Sequence, residues 1–174
     1  MKVTVICSRL VRFLCKRKFV RSDTTLEGME VCLALLAAKL LVRFSPVSLP
    51  FFVLRTLGTG RCGLSFYDPR LTRGIAVRIA QASELLPCRF LCLHQALAAS
   101  FLFWRRSLPL FVGIGVREDE IGKVRAHAWT ASLGNPITGG KASELGFKEL
   151  ATFGSACIRI EPYGAERRIE VVLL

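Results

Sequence analysis

The hydrophobic pattern of this chain changes its period once, at Pro109. Before that residue apolar side chains recur every three or four positions in long runs; after it they alternate in short runs broken by glycine and proline. The first period belongs to helices with a buried stripe and the second to strands covered on one face. The expected fold is therefore α+β, a helical N-terminal half packed on a small antiparallel sheet, rather than an alternating βαβ chain. At 174 residues this is one domain, with a helical subregion over residues 1–86 and a further helix plus antiparallel strands over residues 87–174.

Local signals place the elements. Thr24 followed by Glu27 resembles a capping box, ahead of the periodic run Leu26, Met29, Leu33, Leu36, Leu40 and Phe44, and Pro46 stops that helix. Residues 47–57 read as a short apolar helix or a turn-rich connector closed by Gly58. Asp68 before Pro69 reads as an N-cap with proline in the first turn, opening a helix with Leu71, Ile75, Ile79 and Ala82 on one face and Pro87 at its end. A buried helix follows over residues 89–106. Residues 110–116 and 124–133 form an expected hairpin, with Arg125, His127 and Trp129 on one side of its second strand. Ile137-Thr138 is a short strand stopped by Gly139-Gly140, and residues 157–161 and 167–174 suggest a second hairpin.

Composition narrows the class of protein. An apolar share of 52% against 22% charged residues calls for a packed core, yet Lys39, Arg43, Pro46 and Pro50 break the most apolar stretch, which argues against an ordinary membrane span. Basic residues also interrupt the N-terminus, where no signal peptide is read. The seven cysteines, odd in number and set among apolar residues, point to a reducing, cytoplasmic setting rather than a disulfide framework. No CxxC motif occurs, so no metal site is expected. The net charge is +12, and residues 1–21 hold seven Lys or Arg and no acid. They form an expected basic amphipathic helix, read first as a surface helix docked on the core, with peripheral contact with a membrane surface as the alternative; no nucleic-acid motif accompanies it.

Only two histidines are present, which shortens the search for a base. Cys92 opens the buried helix, and His127 lies on a strand 35 residues later. A helix N-terminus offers unpaired N–H groups that favour a thiolate and an acyl oxyanion, and a strand-borne imidazole facing it would complete a nucleophile and base; from spacing alone a packing thiol is the plainer reading of Cys92. His94, two positions from Cys92 on the helix, points away from the thiol and reads as structural or pocket-lining. Cys88, one turn before Cys92, is a rival thiol. Trp129 is a candidate wall of the site and equally a candidate core aromatic. For the oxyanion the Cys92 N–H is favoured, with Gln95 and Gln81 as further polar candidates.

The run Cys92-Leu93-His94-Gln95-Ala96-Leu97-Ala98, the pair Arg105-Arg106, the strand Leu110-Phe-Val-Gly-Ile-Gly-Val116 and the block Ala126-His127-Ala128-Trp129 resemble, in that order, the leader-peptidase half of the lasso-peptide biosynthesis B proteins. That family has a transglutaminase-like core within the papain-like cysteine protease architecture, and the compact match covers about residues 88–140. The resemblance implies removal of the leader from a ribosomally made precursor peptide, with Cys92 attacking the scissile carbonyl and His127 carrying the proton to the leaving amine. It implies no cofactor. It also implies a separate PqqD-like leader-recognition protein and an ATP-dependent lasso cyclase as partners. The family's orienting acid falls where this chain has Thr138-Gly139-Gly140, so no carboxylate stands there. Asn135, as in a Cys-His-Asn site, and Glu144 are the candidates for the third member. The missing acid keeps a catalytically silent binding or scaffold module open as the alternative.

Overall fold

A computed structural model of the chain describes residues 24–46, 48–58, 68–118, 122–140 and 146–154. Among these residues four helices come first, α1 (Thr24–Phe44), α2 (Ser48–Gly58), α3 (Pro69–Leu85) and α4 (Cys92–Arg105). Four strands follow, β1 (Phe111–Glu118), β2 (Val124–Ser132), β3 (Asn135–Thr138) and β4 (Lys148–Gly154), in one antiparallel sheet of order β3-β2-β1-β4. The expected change of period at Pro109 is thus the boundary between helices and sheet. The basic segment 1–21 and the suggested hairpin over 157–174 lie outside the described residues. No helix of the described residues is long and apolar enough to cross a membrane.

The proline-bearing start of α3 forms as its sequence dictates. Asp68 Oδ1 accepts the Arg70 N–H at 2.8 Å, and Pro69 fills a position whose missing N–H has no partner to lose. Ile75, Ile79 and Ala82 are buried, and Thr72 takes the place beside them that Leu71 only half fills. In α1 the run that marks the helix is not the face it buries. Met29, Leu33, Leu40 and Phe44 are exposed, while Val31, Ala34, Leu35 and Ala38 enter the core. The small Ala34 and Ala38 let the neighbouring helix approach, and Glu30 adds direction. Its carboxylate meets Arg106 Nη2 at 2.6 Å and Arg105 Nη1 at 3.0 Å, joining α1 to the last turn of α4.

Helix α4 is the axis of the fold, packed against the other three helices and against β2 and β3. Its Ala96, Ala99, Leu102 and Phe103 are fully covered, and burial of Leu102 or Phe103 is worth about 2–3 kcal/mol each. After α4 the short connection through Pro109 turns the chain back, and Ser132 Oγ donates to the Pro109 carbonyl at 2.6 Å, tying the far end of β2 to that connection.

Strand alternation then sorts the sheet's two faces. Val112, Ile114, Ala128 and Phe153 join the helical core. Gly113 and Gly115, paired with Trp129 and His127, belong to the opposite face. Strand β4, Lys-Glu-Leu-Ala-Thr-Phe-Gly, carries helix-favouring residues and no alternation of its own. It becomes a strand by pairing along β1, which is a tertiary effect on a weak local preference.

Candidate functional site

Cys92 is the first residue of α4, a half-buried free thiol set against the core. The turn it belongs to is closed by His94. Leu91, in an extended conformation, accepts the N–H groups of His94 at 3.0 Å and Gln95 at 3.2 Å through its carbonyl. Its own N–H donates to His94 Nδ1 at 2.8 Å. The imidazole thus plays the reach-back part that a Glu or Gln plays in a capping box. Because Nδ1 accepts, the neutral ring carries its proton on Nε2. Burial holds its pKa below the usual histidine range, and the Lys39 charge adds to this. Lys39 Nζ bonds the Arg89 carbonyl at 3.0 Å and lies 5.2 Å from the centre of the Phe90 ring, which meets His94 edge-on. His94 is structural, as its helix position implies. Cys88 sits in the bend before the helix, not one turn back along it, so the spacing argument that paired it with Cys92 does not apply. Gln95 is half-buried in the first turn of α4, and Gln81 is exposed on α3.

His127 occupies the boundary between two halves of β2, since residues 124–126 are exposed and residues 128–130 are buried. Its Nε2 lies 2.7 Å from the carbonyl oxygen of Gly139. A carbonyl only accepts, so Nε2 carries the proton and donates, and Nδ1 is left with its lone pair. Two aromatic rings pack on the imidazole, Phe147 at 4.9 Å and Trp129 at 6.3 Å between centres. The Arg117 guanidinium lies 5.0 Å from the Phe147 ring centre. Trp129, the candidate wall, does border the histidine. It is also buried, with its indole across Gly113, where any side chain would collide with the ring, and beside Gly115, where a side chain would meet the Lys148 carbonyl oxygen first.

The sequence profile of the transglutaminase-like superfamily matches residues 35–152, more than half of the chain, and spans Cys92, His127 and Gly139. The chain belongs to the transglutaminase-like superfamily. No curated protein and no solved structure matches it.

Within this transglutaminase-like domain the group that meets the His127 ring is a main-chain atom. Gly139 has φ +77°, and a Cβ there would stand 2.5 Å from the Ala128 carbonyl oxygen and 2.9 Å from Trp129 Cα. A carboxylate cannot be mounted at this position without moving the strand, and the carbonyl takes over the contact with the ring. Asn135 does not reach it: it pairs with Ser132, exposed at the β2–β3 turn, about 16 Å along β2 from His127. Glu144 lies outside the described residues. A carboxylate does share the histidine's row, because Glu149 pairs with Gly115 on the far side of β1. At roughly 10 Å between the backbones of outer strands it is not a hydrogen-bond partner for the ring.

Cys92 and His127 are carried on packed elements, α4 and β2, but no hydrogen bond joins them among the described residues. The residue of β2 that enters the helical core is Ala128, while His127 projects from the other face, contrary to the expectation that the imidazole faces the helix. Sequence reasoning missed the Gly139 carbonyl and Phe147. A search among side chains cannot see the first. The one available signal was Gly-Gly directly after a short strand, which announces a positive φ and a redirected peptide plane.

Proposed function

We propose that this transglutaminase-like chain is a cytoplasmic cysteine peptidase that removes the leader from a lasso-type precursor peptide, with a separate PqqD-like protein recognising the leader and a lasso cyclase taking the product. Cys92 is the nucleophile and His127 Nδ1 the base. The thiol proton passes to Nδ1 as sulfur adds to the scissile carbonyl, and Nδ1 returns it to the leaving amine. Water then hydrolyses the thioester. The observation that carries the reading is the Nε2–Gly139 bond, which fixes the tautomer that a base at Nδ1 requires. The family match and the place of Cys92 at a helix N-terminus support it. A carbonyl orients the ring as a carboxylate would but brings no full negative charge to the imidazolium, so slow turnover is expected. Cys92 packs on the helical side and His127 projects from the other face of the sheet, so this reading requires the site to rearrange on substrate binding until thiol and imidazole meet.

The absence of a bond between Cys92 and His127 favours a second reading, a silent binding or scaffold module of the same maturation complex. Mass spectrometry of the precursor peptide, incubated with the protein and the recognition protein, separates the two. Cleavage at one leader–core bond, lost in both Cys92→Ala and His127→Ala, is the expected result. An intact peptide with binding demonstrated would leave the scaffold.

A further inference from the structure

The carbonyl that holds His127 is itself held in place by a side chain. Strands β2 and β3 pair through Thr130 and Thr138, and the register breaks between Thr130 and Ala131. At that break the Thr138 N–H donates to the Thr130 hydroxyl oxygen at 3.1 Å, a side chain standing where a ladder would use main chain. The two hydroxyls lie 2.9 Å apart and share a further hydrogen bond. Thr130 is completely buried and Thr138 nearly so, which removes water as a competing partner and makes the pair a fixed clamp. One residue later the chain enters the left-handed region at Gly139, against the backbone of Ala128 and Trp129, and its carbonyl reaches His127 Nε2.

We propose that Thr130 is a positioning residue for His127. Its hydroxyl anchors Thr138 N–H at the register break, and that anchor sets the direction of the Gly139 carbonyl and hence the tautomer of the ring. The inference rests on His127 as the base of the proposed peptidase and names what prepares it. A β-branched residue suits the position twice, because it favours a strand and its stiff χ1 holds the oxygen in one direction.

The test reads the imidazole directly and needs no substrate. Nitrogen-15 NMR of the histidine-labelled full chain reports which ring nitrogen carries the proton. With two histidines in the sequence, a His94→Gln spectrum assigns the signals. Wild type is expected to show His127 as a single species protonated on Nε2. Thr130→Val keeps shape and removes the oxygen, and is expected to give a mixture of tautomers at His127 while His94 stays protonated on Nε2. Thr130→Ser, which keeps the oxygen, should restore the single species. An unchanged His127 in folded Thr130→Val, or a mixture in Thr130→Ser, overturns the assignment. If Thr130→Val does not fold, Thr130→Ala, which also removes the oxygen, takes its place with the same two outcomes. Loss of peptide cleavage with the tautomer intact would count against the peptidase and leave the clamp standing; a mixed tautomer in wild type would remove the clamp whatever the activity.

Discussion

The first turn of α4 and the junction of β2 with β3 each hold one of the chain's two histidines, and each does so through main chain of opposite polarity. At the helix His94 Nδ1 accepts the Leu91 N–H, and at the junction His127 Nε2 donates to a carbonyl. Both rings end in the same tautomer for different reasons. His94 has its lone pair engaged and is nearly covered, so it closes a helix. His127 is only partly covered, and among the described residues nothing engages its Nδ1, so that nitrogen stays open. Chemistry depends on which nitrogen the backbone occupies more than on the presence of the residue.

The comparison breaks most severely at Gly139. Gly139→Ala places a methyl against Ala128 and Trp129 in a left-handed conformation, and a loss of about 3 kcal/mol in urea unfolding is expected, with His127 losing its single tautomer and His94 keeping it. A change at both rings would mean that the two regions are not independent. The next effect is read in acid. The pKa of His94 is depressed in the folded chain, so the unfolded chain binds the extra proton. Stability is full above the ordinary value of 6.5 and falls as pH drops below it, by at most about 1.4 kcal/mol per pH unit, until the folded value is passed. His94→Gln should flatten the unfolding midpoint between pH 7 and 5; a slope that survives the substitution would assign the loss elsewhere.

The smallest effect tests whether the capped end of α4 depends on its other end. The Arg106 side chain, through its hydrogen bonds, is the main reason the Glu30 carboxyl sits below the ordinary range; the charges of both arginines add to it, against burial. That contribution is present above the ordinary value of 4.5 and lost as pH falls through the folded value. Glu30→Gln is expected to lower stability by about 1 kcal/mol at neutral pH and to leave the His94 slope untouched. Altered slopes would show strain passing along the helix.

What was legible in the sequence follows from where its determinants lie. Asp68-Pro69, Pro46 and the change of period at Pro109 act locally, and the helices they bound formed where expected. The buried face of α1 was not legible, because the helix is apolar on several sides. Its inner face is selected by small residues and by an ion pair to arginines 75 and 76 positions away. Strand β4 was missed for a similar reason, since its partner and not its composition makes it a strand. In the site, residue types showed Cys92, His127 and Trp129 as candidates. They did not show which face of β2 carries the ring, nor a hydrogen-bond acceptor that every residue possesses.

The Gly139 carbonyl has a consequence for how such a domain is inherited and searched. A main-chain acceptor leaves no trace in residue identity, so a chain that holds its histidine through the backbone looks broken by side-chain motif while keeping the ring in place. Alanine scanning would register only a damaged turn at position 139, and conservative replacement has nothing to conserve. The atom answers instead to chemistry on the peptide bond itself, such as a semisynthetic thioamide at Gly139, which exchanges the acceptor oxygen for a weaker sulfur without touching a side chain.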